Sequence, residues 1–297
     1  MKKVTIGLCV RNSEKVVHIA LNSILTQDYP HKLMKLVVVD DGCTDNTIPI
    51  VNQFVSGGDI DLTVLVSGGK GLGTSRQMIV NNAEGDYIVW VDDDFLLPKN
   101  YVRNQIDFME KNLTVGAACP NTSRTVKLSF TSLGYSLFLL QNKRPVVIGT
   151  GGAVFRLKAI NAVRGFDTRI TGAGEDHDIS HRIKRAGWML SANPSAHLKR
   201  DIPPMTLGAL WKKHKWYGYA NHFLFHKNNE RKLLLETYPL KAFLGGFKEA
   251  FQLYRITKEK TVLAVPFYKS FTSSAELFGF IRAHITGYGH LSTKSSS

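Results

Sequence analysis

The sequence predicts an α/β/α sandwich on a mostly parallel sheet, followed by a helical C-terminal extension. Three observations predict it. Short apolar runs alternate with stretches of helical period over residues 1 to about 200, the pattern that lays helices on the faces of a parallel sheet. Two of those runs end in carboxylates, Asp40-Asp41 and Asp92-Asp93-Asp94. Such charges cannot stay unpaired in a core, so they belong at the C-terminal edge of a sheet, where open α/β sheets bind ligands. Past residue 206 the alternation stops and aromatic residues recur at helical spacing.

Val4 to Val10 reads as the first strand. A helix from about Ser13 to Gln27 follows, with Ser13 as its N-cap and Val17, Leu21, Ile24 and Leu25 on one face. Tyr29-Pro30 closes it. Leu36 to Val39 is the second strand, and the chain then turns at Asp40-Asp41-Gly42 into a helix capped by Thr44 or Asp45. Leu62 to Val66 is a strand, Thr74 to Ala83 a helix, and Tyr87 to Val91 a buried strand. Pro98 opens a helix to about Met109, residues 115–119 form a strand, and 120–150 are less regular. Gly149-Thr150-Gly151-Gly152 lets backbone pass close to a ligand or strand before Ala153-Val154-Phe155. Glu175 to Ala186 is helical, ended by Gly187, and Arg182 stands four positions from Asp178 as a pairing partner. In the extension, 207–227 reads as a helix, a second follows Pro239, and a third spans Ala275 to Ile285.

With 297 residues, 43% of them hydrophobic, the chain has ample core for one large domain or one domain plus a helical annex. Cys9, Cys43 and Cys119 have neither metal-ligand nor disulfide spacing, which fits a reducing compartment. Met1-Lys2-Lys3-Val4 is too short and polar to begin a signal peptide. The net charge of +14 is uneven: Lys199 to Ser297 holds 16 Lys/Arg against 6 Asp/Glu. A basic, aromatic tail suits an anionic membrane surface or nucleic acid, but no recognised nucleic-acid-reading motif is present and no nucleic acid is expected. No apolar run reaches the roughly 18 residues of a membrane span. The tail therefore reads as helices lying in a bilayer interface. Packing of the same faces on the α/β portion or on a second subunit of a homo-oligomer is the alternative.

Adjacent carboxylates at a strand end repel unless a cation sits between them, and Mg²⁺ or Mn²⁺ carrying phosphates is the economical answer. With this in view, the whole set of motifs resembles the inverting nucleotide-sugar glycosyltransferases of family 2, which have the GT-A fold. The matching pieces are Val39-Asp40-Asp41-Gly42-Cys43-Thr44-Asp45-Asn46-Thr47, Gly69-Lys70-Gly71-Leu72-Gly73 before Arg76, and Asp92-Asp93-Asp94 with Pro98. Gly149 to Phe155, Gly165-Phe166-Asp167 and Gly174-Glu175-Asp176 complete them. The resemblance covers roughly residues 3–216. It implies a catalytic domain over 1–205, with a nucleotide-sugar half to about 98 and an acceptor half from about 99. The basic aromatic extension would then be 206–290, and 291–297 a disordered end.

The resemblance also implies roles. Asp41 accepts a hydrogen bond from the nucleobase, while Asp40 buttresses the turn. Asp92 reaches the ribose or the metal's surroundings, and Asp94 binds the metal. Asp93 lies between them and points the other way if the strand alternation persists; it is counted with Val10 among the donor-binding residues. Arg76 holds the donor edge or makes a structural pair. Asp176 is the catalytic base, since inverting transfer needs one carboxylate to take the acceptor's proton, and Glu175 orients the acceptor. His197 completes the metal shell or is an ordinary structural histidine. Lys212-Lys213-His214-Lys215-Trp216 stands where processive relatives carry Gln-x-x-Arg-Trp. Lys215 and Trp216 keep a cation and an indole for the donor, but the missing glutamine argues against a processive polysaccharide synthase. The expected partners are a nucleoside-diphosphate sugar, UDP-linked before GDP-linked, and a lipid-linked or glycan acceptor. The expected location is the cytoplasmic face of a membrane, peripherally bound.

Overall fold

Strands whose residues are apolar at every position can be buried only if both faces of the sheet are covered, and that is the arrangement found in the computed structural model. It describes residues 1–55, 59–137, 140, 147–202, 205–228 and 238–288; the end expected at 291–297 lies outside them. The chain divides into two units. The first comprises Met1–Ser123, Arg144–Thr171 and Glu175–Arg200, the second Arg124–Lys143, Gly172–Gly174 and Asp201–Ser297.

The strands are β1 (Val4–Val10), β2 (Met34–Asp40), β3 (Asp61–Val66), β4 (Tyr87–Val91), β5 (Val115–Val126), β6 (Val154–Arg156) and β7 (Met189–Ile202). They form one seven-stranded sheet in the order β3-β2-β1-β4-β6-β5-β7. The first four in that order run parallel, and β6 is antiparallel to both β4 and β5. The helices around the sheet are α1 (Val17–Leu25), α2 (Thr47–Val55), α3 (Leu72–Asn82), α4 (Tyr101–Lys111), α6 (Leu157–Ala162) and α7 (Glu175–Arg185), while the short α5 (Leu133–Leu137) belongs to the second unit.

Strand alternation sorts the core into two layers. Ile6, Leu8, Leu36, Val38, Tyr87 and Val89 face α1, α2 and α4 through Leu21, Val51 and Ile106. Val37, Val39, Ile88 and Trp90 face α3, α6 and α7 through Ile79, Ile160 and Ile183. Trp90 lies beside Gly7 in the parallel register, and a β-carbon on Gly7 would come within 2.9 Å of the indole. The smallest residue in β1 thus makes room for the largest in β4.

Several local expectations change. Ser13 does not cap α1, which starts four residues later with Val16 at its N-cap and no side-chain cap. The Ser13 backbone carbonyl instead accepts from Val16 and Val17 N–H at 2.9 Å. Pro98 precedes α4 by a turn, Asn100 being the N-cap. The strand expected at 115–119 continues to Val126. Asp45 acts as expected at the start of α2, its Oδ1 accepting from Thr47 N at 3.0 Å.

The second unit contains α8 (Leu207–Asn228), α9 (Pro239–Thr257) and α10 (Val265–Thr286), the last longer at its N-terminal end than the expected 275–285. Leu133, Leu210, Leu253, Val265 and Tyr268 form its core. Helices α8 and α10 approach so closely that a β-carbon on Gly218 would lie 1.9 Å from the Glu276 carbonyl oxygen, and one on Gly279 2.0 Å from that of Lys215. Among the described residues no helix is long and apolar enough to cross a membrane.

Candidate active site

The carboxylates after β2 emerge at the C-terminal edge of the sheet because the apolar strand ends there. Asp40 Oδ1 accepts from Gly42 N at 2.9 Å and Cys43 N at 2.7 Å, closing the turn. The Asp41 backbone N–H donates to the Val10 carbonyl at 2.9 Å, so Val10 fixes where the second carboxylate begins. Buried Asp41 then gathers three donors on Oδ1: Ser67 Oγ at 2.5 Å, Gly71 N at 3.0 Å and Ser75 Oγ at 3.2 Å. One carboxylate thereby ties the ends of β2 and β3 to the start of α3. Gly71 has φ of +90°, and a β-carbon there would fall 2.0 Å from the Thr171 carbonyl oxygen, so the Gly-rich loop and the loop after Gly165 touch through backbone.

At the end of β4 the three aspartates diverge. Asp93 Oδ2 accepts from Ser13 Oγ, so the serine that sequence assigned to a helix cap joins β4 to the loop after β1. Asp94 is exposed and Asp92 half-buried. Asp92 lies against the glycine loop: a β-carbon on Gly151 would meet its Oδ2 at 2.8 Å. On the same loop, a β-carbon on Gly149 would stand 3.6 Å from Asp176 Oδ2. The loop is pinned at both ends. Ile148 N donates to Ser180 Oγ of α7 at 3.0 Å, and the Gly152 carbonyl accepts from Gln105 Nε2 of α4 at 2.9 Å and from the Tyr101 hydroxyl. Thus Asp92 and Asp176, 84 positions apart in the sequence, face one short segment of backbone.

Beneath them Arg76 of α3 and Glu175 of α7 form a buried ion pair, with the guanidinium 5.8 Å from the Trp90 ring centroid. Burial pushes the Glu175 carboxyl up to about 7, against the pull of Arg76 and with the push of Asp176 and Asp92. For Arg76, burial works against the charge, but Glu175, Cys9, Asp92 and Asp176 outweigh it and hold its pKa above the ordinary value. Burial drives the Cys9 thiol up to about 12, opposed by Arg76 and reinforced by Asp41, Glu175 and Asp92. Cys9 is therefore a protonated wall of the site, and no sequence motif pointed to it.

Asp176 is half-buried at the first turn of α7, its Oδ1 accepting from His177 N at 2.8 Å. The expected Asp178–Arg182 pair is formed at 2.6 Å, and Arg182 also donates to the Val163 and Gly165 carbonyls. His197 is exposed on β7 with its Nδ1 3.4 Å from Asn121 Nδ2. Among the described residues, the group of three His, Cys, Asp or Glu side chains with ligand atoms within 4.8 Å of one another is His222, His226 and His284; it includes neither Asp94 nor His197. Lys215 and Trp216 belong to the second unit. The Lys215 ammonium lies 5.9 Å from the Phe278 ring centroid. Trp216 is partly exposed and packs on Gly172, where a β-carbon would approach its Nε1 to 2.8 Å.

The model of glycosyl transferase family 2 matches residues 5–161, just over half of the chain, and that of glycosyl transferase family group 2 matches 87–284. Among curated proteins, the poly(ribitol-phosphate) beta-N-acetylglucosaminyltransferase TarS of Staphylococcus aureus is 30% identical over 112 residues, 38% of this chain and 20% of TarS. The chain thus spans about a fifth of that relative. Among solved structures, the mannosyltransferase PcManGT from Pyrobaculum calidifontis, in complex with GDP-Man and Mn²⁺, superposes with a TM-score of 0.67 at 17% identity, covering 94% of this chain and 87% of that one. S. aureus TarS 1–349 in complex with UDP-GlcNAc gives 0.55 at 16% identity, covering 95% and 92%. At these identities the structures speak for the fold, which is that of the GT-A enzymes, while the family model speaks for descent. The chain belongs to glycosyl transferase family 2.

Proposed function

We propose that the chain transfers one sugar from a nucleoside-diphosphate sugar, UDP-linked in preference to GDP-linked, to a hydroxyl of a glycan or lipid-linked acceptor, with inversion at the anomeric carbon. The observation that carries this reading is the meeting of Asp92 and Asp176 on the Gly149–Gly151 segment. A donor-side carboxylate and a candidate base then flank one narrow strip of backbone. Asp176 accepts the proton of the acceptor hydroxyl as its oxygen attacks the anomeric carbon, and the bond to the diphosphate breaks on the opposite face. Asp41, with Val10 and Asp93 shaping the same edge, receives the nucleobase. Arg76 acts as a positioning residue: its pair with Glu175 holds the start of α7, and with it Asp176. Lys215 and Trp216 supply a cation and an indole to the donor, and His197 remains a candidate metal ligand.

Asp92 and Asp94 offer carboxylate oxygens at a strand end, the donor type that suits Mg²⁺ or Mn²⁺. Such an ion would neutralise the charge of the departing diphosphate. UDP-GlcNAc bound to TarS and GDP-Man with Mn²⁺ bound to PcManGT support a nucleotide-sugar donor and a metal requirement.

Helix α9 presents Leu240, Leu244, Phe247 and Phe251 as an exposed stripe, with Lys241, Lys248 and Arg255 on the same helix. This supports peripheral binding to an anionic membrane; the cytoplasmic face, where lipid-linked acceptors would be met, is part of the proposal.

The test is nucleoside diphosphate release from a panel of UDP- and GDP-sugars, with and without EDTA, for the native chain and Asp94→Ala. Release abolished by EDTA and by Asp94→Ala is expected. Release indifferent to both would remove the metal from the reading, and silence across the panel would remove the reaction.

A further inference from the structure

Three histidines come together in the second unit, none of them part of a motif discussed above. His222 and His226 stand four residues apart on α8, one turn, and therefore share a face. His284 comes from α10. One nitrogen from each ring can be chosen so that all three lie within 4.8 Å of one another. His222 Nε2 is 3.4 Å from His284 Nδ1. Two nitrogens on a tetrahedral zinc ion, each about 2.05 Å from the metal, stand about 3.3 Å apart, so this pair already has the spacing of two ligands. The rings of His222 and His226 are 4.5 Å apart, centre to centre.

The backbone beneath the cluster is held firmly. Gly218 lies one turn before His222, and Gly279 lies five residues before His284. At these two glycines the helices touch so closely that neither admits a β-carbon. The 3.4 Å contact to His284 satisfies only Nε2 of His222; its other ring nitrogen, Nδ1, is buried and, among the described residues, has no partner. Buried polar atoms left this way are rare and call for a ligand or a water.

We propose that His222, His226 and His284 form a site for a divalent transition metal of the zinc class that clasps α8 to α10. Three neutral imidazoles select Zn²⁺, Co²⁺, Ni²⁺ or Cu²⁺ over Mg²⁺ and Mn²⁺, which prefer oxygen ligands. The site therefore differs in metal preference from the carboxylates after β4. With three protein ligands, a water completes the tetrahedron.

The experiment uses the full chain, freed of metal with a chelator, and titrates it with Co²⁺ while following the visible ligand-field bands of tetrahedral cobalt. Zn²⁺ affinity then follows by competition. One equivalent of Co²⁺ should bind and be displaced by Zn²⁺ but not by Mg²⁺. His226→Gln and His284→Gln, both at exposed positions, should each weaken binding at least about tenfold. Circular dichroism checks that they remain folded. Zn²⁺ should raise the Tm of the native chain by stabilising the folded state, but not that of His284→Gln, because a site confined to α8 would not join the helices. Asp94→Ala should leave Co²⁺ binding unchanged. Absence of saturable one-to-one binding, equal affinity in His284→Gln, or loss of binding in Asp94→Ala would each overturn the proposal.

Discussion

Arg76 and Glu175, 99 positions apart in the chain, show how the site is governed residue by residue. A buried carboxylate is tolerated because a guanidinium meets it, and removing that partner strands a charge unless the carboxyl takes up a proton. Arg76→Met should push the Glu175 carboxyl further up, so that it folds protonated at neutral pH. The substitution should then cost less than the roughly 3–5 kcal/mol of a stranded buried charge, read by urea unfolding at neutral pH; a loss of that full size would mean that Glu175 stays charged. Titration of Glu175 gives a second expectation. Its carboxyl is raised from 4.5 to about 7 on folding, so between those values the folded chain keeps a proton the unfolded chain has released. Stability from this group is thus fully present below about 4.5 and is lost as pH rises through about 7. The decline in Tm over that window should be shallower in Glu175→Gln, and parallel profiles would assign the pH dependence to other groups. Asp176→Asn keeps the size of the side chain but cannot take a proton. It should lower transfer by roughly 10²–10⁴-fold with donor binding intact. Near-native turnover at saturating substrates would move the base elsewhere.

At the scale of elements, the loop from Gly149 to Gly152 does what a rigid strand could not: it brings backbone against two carboxylates at once. Gly149 and Gly151 differ in how much room they leave. Gly151→Ala would place a methyl group 2.8 Å from Asp92 Oδ2 and 3.1 Å from the Phe95 ring, while Gly149→Ala would make only ordinary contact with Asp176. Gly151→Ala should therefore displace Asp92 and weaken donor nucleotide binding, whereas Gly149→Ala should bind nucleotide as the native chain does. Calorimetric titration of both variants with UDP and Mn²⁺ separates them; equal affinities would show that Asp92 does not touch the donor.

Across the whole molecule, charge and apolar surface are divided unevenly. The tail from Lys199 holds +10 of the net +14, and α9 leaves Leu244 and Phe251 about 60% exposed. Each Lys or Arg near an anionic surface contributes about 1 kcal/mol, and insertion of the apolar stripe adds to it. Leu244→Ser with Phe251→Ser should lower co-sedimentation with anionic vesicles while leaving the helical content unchanged by circular dichroism. Added salt should weaken native binding without abolishing it. Equal sedimentation of native and variant chains would leave this face to a protein contact.

The α/β/α architecture was legible in the sequence because its signals are local: runs buried on both faces must be apolar at every position, and carboxylates that end such runs must leave the core. The bounds of β1 and β4 follow directly from that rule. The order of motifs likewise carried the family, and Asp176 stood out at a helix start. What the sequence could not show was which side chains meet. Ser13 has the residue type and position of a helix cap, yet the chain spends it on Asp93, because the loop after β1 runs past the end of β4. Cys9 carries no motif, yet it lies among Asp41, Arg76, Asp92 and Glu175. The pairing of Arg76 with Glu175 and the gathering of three histidines from two helices are likewise set by how α3, α7, α8 and α10 pack. Local pattern is written by the period of each element, whereas contacts between distant residues depend on the packing that brings those elements together.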